Sequence, residues 1–190
     1  MNPDQTVEFY EPVTLLGGGA VGPADLHHAL GLAPRLVAAD GGANMALAEG
    51  VMPDLVIGDF DSVSDATLAA IPAARQIRVA EQATTDFEKC LLRVRAPFVL
   101  GLGFLGPRVD HTLAVFNALI GHADTLCLLA GAGDLVFAAP PRLALDLPIG
   151  TRFSGGALPG QQSGAALADR GAGFCARRAD RHLERGFGAG

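Results

Sequence analysis

Residues 53–62 read Pro53-Asp54-Leu55-Val56-Ile57-Gly58-Asp59-Phe60-Asp61-Ser62. The apolar run at 55–57 is short and has no polar face. Such a run reads as a strand covered on both sides, and here it ends in Gly and then Asp-x-Asp. The same texture recurs at residues 13–16, 36–39, 77–79, 98–100 and 126–130, most of them followed by Gly or Asp. Between these runs, residues 43–49, 65–71, 86–94 and 110–121 carry helical spacing. Strand–helix alternation predicts an α/β fold: an N-terminal parallel-sheet, three-layer domain over residues 1–132, with right-handed crossovers. Residues 135–138 and 143–147 look like strands with no helix between them, and Pro140-Pro141 marks a turn. A small C-terminal β domain is therefore expected over residues 133–190.

Composition narrows the function. The 190 residues are 49% hydrophobic and 18% charged, with a net charge of −6 and no Lys/Arg run. That argues against a nucleic-acid or anionic-membrane surface. No stretch reaches the ~18 apolar residues of a membrane span, and the first ten residues lack the pattern of a signal peptide. The three cysteines, Cys90, Cys127 and Cys175, have no CxxC spacing. Reduced thiols in a cytoplasmic protein are expected.

Five constellations could carry chemistry. Gly17-Gly18-Gly19 follows a strand and is either a flexible turn or a phosphate cradle. Asp40-Gly41-Gly42-Ala43-Asn44 puts a carboxylate at a strand's carboxyl end, where functional residues of open α/β sheets gather; Asp40 as the cap of the next helix is the other reading. Asp59 and Asp61 would share one side of an extended backbone. Two carboxylates that close repel unless a cation lies between them, and magnesium suits such a pair; a surface turn is the plain alternative. In Thr84-Thr85-Asp86-Phe87-Glu88-Lys89-Cys90, a Thr with Glu88 can form a capping box, while Asp86 and Lys89 share a helix face. They are a surface ion pair or a metal carboxylate beside a phosphate-binding ammonium. Gly106-Pro107-Arg108-Val109-Asp110-His111 offers a guanidinium suited to phosphate, an Asp that joins the acidic cluster or caps a helix, and a His that on its own reads as structural.

In their order, A-D-G-G-A-N, P-D-L-V-I-G-D-F-D-S, T-T-D-F-E-K-C and G-P-R-V-D-H-T-L-A resemble the thiamine pyrophosphokinase family, from about Val13 to about Ser154. The resemblance implies an α/β domain that binds ATP and Mg2+, a C-terminal β-sandwich, and a homodimer with thiamine in the cleft between subunits. It implies Asp59, Asp61 and Asp86 as metal ligands, with Asp40 in the same cluster and Asp110 added in the catalytic set. Lys89 and Arg108 would hold phosphates, within a nucleotide-binding set of Gly18, Asp40, Gly41, Gly42, Lys89, Arg108, Asp110 and His111. The implied reaction converts ATP and thiamine to AMP and thiamine diphosphate. Competing readings are another D-x-D metal-dependent phosphotransferase, or a nucleotide- and magnesium-binding protein with an impaired thiamine site. The sequence departs from the family at Pro107, where a second Gly is usual, and at Val115, where an Asn is usual; Asn117 follows two residues later.

The largest departure is the tail. Of residues 155–190, 22 of 36 are Gly, Ala or Arg, and none is Val, Ile or Thr. Such composition is expected to supply no strands and little core. The expected origin is a GC-rich gene read in a shifted frame; a genuine, divergent or disordered tail is the other reading. One plausible codon choice for residues 164–190, read one base later, restores a family-like segment with a Trp and a Ser-Asn pair. The remnant would then lack half its thiamine pocket.

Overall fold

Strands with no polar face need cover on both sides, and helices supply it here. The computed structural model describes residues 5–131, 133–140, 142–152, 154, 166–169 and 173–177. The chain runs β1 (Val7–Glu8), β2 (Val13–Leu16), α1 (Pro23–Leu32), β3 (Arg35–Ala39), α2 (Gly42–Ala48), β4 (Leu55–Gly58), α3 (Asp65–Ala70), β5 (Gln76–Arg78), α4 (Asp86–Arg93), β6 (Val94–Arg95), β7 (Val99–Leu102), α5 (Val109–Gly121), β8 (Cys127–Gly131) and β9 (Asp134–Phe137). Then come β10 (Arg142–Asp146), β11 (Ala166–Asp169) and β12 (Gly173–Arg177). The expected α/β class holds. Among the described residues no helix is long and apolar enough to cross a membrane.

β3, β4 and β5 pair in parallel, with Ala39 opposite Ile57 and Ile57 opposite Ile77. β2, β7 and β8 also pair in parallel, with Leu16 opposite Leu102 and Leu102 opposite Ala130. β2 meets β3 at a bridge between Val13 and Pro34. Read across, the order is β5-β4-β3-β2-β7-β8-β9. The chain leaves β2 toward β3 and later returns to β7 on the other side, so the order reverses at β2. Outside the carboxyl ends at such a reversal, open α/β sheets form their ligand crevice.

Period-two alternation sorts the strand side chains onto two faces. Val13, Leu15, Val37, Leu55 and Ile57 pack with Phe87 and Leu91 of α4 and Val115 and Leu119 of α5. Leu16, Leu36 and Leu100 pack with Leu26 and Ala29 of α1 and Ala46 of α2. Ala38 and Val56 meet Ala43, Val63 and Ile71 on α2 and around α3. Phe87 is fully buried and packs on Phe104 with ring centroids 4.8 Å apart. Burying such a ring stabilises by roughly 1.5–3 kcal/mol.

Two expectations change, and one helix adds to them. Helix α1 has little signal in the sequence: only Leu26 and Ala29 of its ten residues are buried and its apolar stripe is faint, and Pro23 at its first turn is the available mark. The strand expected to open the β appendage, β9, instead pairs antiparallel with β8, Leu129 opposite Val136. Gly133, at φ 80°, turns the chain back within a few residues, so the first compact unit runs Met1–Ala138 and the second Ala139–Gly190. In that second unit β10, β12 and β11 form an antiparallel sheet, Ala144 opposite Cys175 and Ala168 opposite Cys175. Residues 166–169 and 173–177 are thus strands, against expectation. Strand propensity reports side-chain packing on a pleated surface, whereas ladder hydrogen bonds serve Ala- and Gly-rich backbone equally well. The rest of 155–190, on which the frame-shift expectation bears, lies outside the described residues.

Helix α2 begins hard against the end of β2. A Cβ on Gly42 would lie 2.1 Å from the Leu16 carbonyl oxygen, a backbone atom that cannot step aside. Gly42→Ala should therefore lower unfolding free energy in urea by about 3 kcal/mol or more, as overpacked sites do at their upper limit. Gly50→Ala, at φ 71° in open space, should cost only about 1–2 kcal/mol from backbone strain. Equal losses would contradict this packing.

Candidate active site

The parallel strands deliver their loops to one edge of the sheet. β3 ends at Ala39 with Asp40 next, β4 at Gly58 with Asp59 next, β2 at Leu16 with Gly17 next, and β7 at Leu102. Asp40 is buried, 2% exposed, and sits at φ 44°. Its side chain does not cap α2. Its Oδ1 accepts the Phe60 N–H at 2.8 Å and its Oδ2 accepts the Ser62 N–H at 3.1 Å. The 58–62 segment thus wraps around one carboxylate. Gly58 allows this approach, since a Cβ there would meet Asp40 Oδ1 at 2.7 Å.

Asp59 and Asp61 do come to the same side, but not on extended backbone. Phe60 sits at φ 71°, and the Asp61 N–H donates to Asp59 Oδ1 at 3.2 Å. A left-handed Phe costs roughly 1–2 kcal/mol, which the charge-assisted bonds to Asp40 offset. Carboxylate oxygens of Asp40, Asp59 and Asp61 lie within 4.8 Å of one another. Hard oxygen donors, graded from buried Asp40 to exposed Asp61, suit Mg2+, which keeps several water ligands.

Asp86 approaches through Lys89. The ammonium of Lys89, 2% exposed, lies 3.1 Å from Asp86 Oδ1 and 3.5 Å from Asp59 Oδ2. The i,i+3 pair expected on α4 is therefore real, and it is tied into the carboxylate site. Thr85, not Thr84, caps the helix by accepting the Glu88 N–H at 3.2 Å. Glu88 reaches His122, 3.4 Å away.

The charges respond in opposite directions. Burial, then the Asp86 charge, raises the Asp40 pKa above the usual carboxylate range, against the two amides that lower it. Burial also pushes Asp59 up, but the Asp61 amide, Gln82 and Lys89 outweigh it and hold it below that range. Burial pushes Lys89 down, but Asp86 and Asp59 outweigh it and hold the ammonium charged. Cys90 and Cys127 are free and buried; burial raises both thiols, Cys127 to about 12, so neither is a thiolate near neutrality.

Gly18 is exposed and close to Gly41: a Cβ on Gly18 would lie 3.7 Å from the Gly41 Cα. Gly19 N–H donates to Gly103 O at 3.0 Å, so the loops after β2 and β7 touch at the reversal. Gly41 and Gly42 open α2 beside them. Asp110 does not join the carboxylate group among the described residues. It grips Arg108, accepting from Nε at 3.2 Å and from a terminal nitrogen at its other oxygen. Both side chains are exposed, as is His111 at the start of α5. Val115, where the resembled family carries Asn, belongs to the core, while Asn117 is exposed. Three contributors were not read from the sequence. Gln82 donates to Asp59 Oδ2 at 2.6 Å, Arg78 donates to the Asp59 carbonyl at 3.2 Å, and Glu81 accepts the N–H groups of Ala83 and Thr84 at 2.7 and 3.0 Å. Their signal was position alone: all lie between β5 and α4, or at the end of β5.

The family model described as thiamin pyrophosphokinase, catalytic domain, matches residues 26–128, which is 103 of the 190 residues. Among solved structures the fold is similar to thiamin pyrophosphokinase from Geobacillus thermodenitrificans, at 21% identity and TM-score 0.59, over 72% of this chain and 67% of that one. It is similar to thiamine pyrophosphokinase from Bacillus subtilis, at 19% identity and TM-score 0.59, over 75% and 72%. The yeast protein of the same name aligns at 18% identity and TM-score 0.55, over 77% and 65%. At such identities these likenesses speak for the fold. No curated protein matches the chain.

The Lys89 ammonium is paired with both Asp59 and Asp86 and so offsets their mutual repulsion. Lys89→Met should lower stability in EDTA by about 2 kcal/mol, less than the ~3–5 of a fully buried pair, because Asp86 is 43% exposed. Added Mg2+ should raise the melting temperature of the variant more than that of the wild type. Thermal melts with and without Mg2+ decide; an unchanged melt in EDTA would contradict the counter-ion role.

Proposed function

The chain belongs to the thiamin pyrophosphokinase family, and from that premise we propose that it transfers a diphosphate group from ATP to the hydroxyl of thiamine, releasing AMP and thiamine diphosphate. The observation that carries this reading is the convergence of Asp40, Asp59 and Asp61 with a buried Lys89–Asp86 pair at the carboxyl edge of the sheet.

In the proposed reaction the thiamine hydroxyl oxygen forms a bond to the β-phosphorus of ATP, and the bond from that phosphorus to the oxygen bridging it to the α-phosphorus breaks. AMP leaves with the bridging oxygen, and the hydroxyl proton goes to a base. Such transfer depends on positioning and on neutralising charge more than on covalent catalysis. Asp59 and Asp61, with Asp40 and Asp86 close behind, are the residues proposed to hold Mg2+; Asp59 is already charged and braced for that role. Bound there, the ion would neutralise phosphate oxygens and order them. Lys89 can give phosphate a third donor hydrogen beyond those facing Asp59 and Asp86. The Gly17 and Gly19 N–H groups are held by the Leu102 and Gly103 carbonyls, so the backbone N–H groups proposed to cradle the nucleotide are those of Gly18, Gly41 and Gly42. Arg108 is proposed to leave Asp110 for phosphate; Asp110, released from that pair, is one candidate base for the hydroxyl proton. We propose further that the enzyme works as a homodimer in the cytoplasm, as the family resemblance and the buried free thiols suggest.

Turnover should be seen as AMP that forms only when ATP, Mg2+ and thiamine are all present. Asp61→Asn should lower kcat/KM by at least ~100-fold, while the melting temperature stays within a few degrees, because Asp61 is exposed. ADP or inorganic phosphate as the product, or wild-type turnover in the variant, would overturn the reading. Tight Mg2+-ATP binding without AMP formation would favour a nucleotide-binding protein with an impaired thiamine site.

A further inference from the structure

Four backbone groups of the segment between β4 and α3 are taken by two side chains spaced four residues apart at the start of α2. Asp40 takes the N–H groups of Phe60 and Ser62. Asn44 takes the next two groups. Its Nδ2 donates to the Ser62 carbonyl at 2.8 Å, and its Oδ1 accepts the Ser64 N–H at 3.0 Å. A planar amide with a donor at one end and an acceptor at the other is what this pair of partners requires. Between them Val63, 6% exposed, plugs into the apolar cluster of Ala38, Ala43 and Val56. Asn44 therefore grips the chain on both sides of a buried anchor, from a helix whose other face is itself packed.

We propose that Asn44 is a positioning residue for the carboxylate site. It fixes Ser62, and Ser62 Oγ in turn donates to Asp61 Oδ1 at 2.8 Å. Asp61 is otherwise exposed and sits on a loop that crosses a left-handed Phe60. With Asp40 holding one end of the segment and Asn44 the other, Asp61 stands beside Asp59 before a cation arrives, so little ordering remains when one binds. This inference rests on the reading of Asp40, Asp59 and Asp61 as a cation site.

The test is Mn2+ alone, titrated into the full chain by calorimetry or electron paramagnetic resonance. Asn44→Ala should bind Mn2+ about tenfold more weakly than wild type, the size of one lost positioning interaction of this kind. Asn44→Asp keeps the shape and the acceptor but sets a carboxylate against the Ser62 carbonyl, so it should be no better. Ser64→Ala is the control for a merely structural effect. It removes the side chain that accepts the Thr67 N–H at 3.1 Å and caps α3, yet keeps the main-chain N–H that Asn44 uses. It should lower the melting temperature and leave Mn2+ affinity within twofold. Asn44 variants that bind as wild type does, or that weaken only as much as Ser64→Ala at the same melting temperature, would overturn the inference alone. A wild-type protein that takes up no Mn2+ would overturn the cation reading and this inference with it.

Discussion

Two amides, those of Phe60 and Ser62, converge on a single buried carboxylate, Asp40, at 2.8 and 3.1 Å. The rest of the site is arranged around that contact. It requires Gly at position 58, because any Cβ would collide with Asp40 itself. It requires two non-glycine residues, Asp40 and Phe60, at positive φ. Strain of this kind persists where surrounding structure over-determines it, and the over-determination here comes from the register of β3 and β4, which sets Ala39 opposite Ile57 just before both chains turn. The sheet thus fixes where Asp40 stands, and Asp40 fixes where Asp59 and Asp61 stand.

Electrostatics then separates the aspartates by environment. Asp40 is desolvated and its charge is disfavoured. Asp59 is braced by an amide, by Gln82 and by Lys89, and its charge is favoured. The buried ammonium of Lys89 stands between Asp59 and Asp86, and relieves like-charge repulsion without filling the site. A ready supply of negative charge with one internal cation is an arrangement that a divalent ion and a polyphosphate can complete together.

Much of this was legible in the sequence because the strands are buried on both faces. Short apolar runs, most of them followed by Gly or Asp, located β2, β3, β4, β5, β7 and β8 within a residue or two, and the Asp-x-Asp and Thr-Thr-Asp blocks located the carboxylates and Lys89. Features that depend on three-dimensional closure were not legible. The wrap around Asp40 follows from Phe60 adopting a left-handed conformation, which nothing in its identity announces. Gln82 and Asn44 act through contacts 23 and 18 residues distant, so neither shows in local spacing. β9 reads as the start of a new unit and is instead the antiparallel edge of the first, because Gly133 permits the reversal. The strands at 166–169 and 173–177 were hidden by a composition that lacks β-branched residues, although the backbone alone can build the ladder.

The account stands on a loop pre-shaped by Asp40 to receive a divalent ion between its carboxylates. Anomalous diffraction from crystals of the full chain soaked in Mn2+ and a non-hydrolysable ATP analogue tests that most directly. The predicted result is a Mn2+ peak bonded at about 2.0–2.3 Å to Asp59 and Asp61, next to the analogue's phosphates, with Phe60 still left-handed and its N–H still on Asp40. A peak remote from Asp59 and Asp61, or a loop whose Phe60 has left Asp40 to bind the ion, would contradict it.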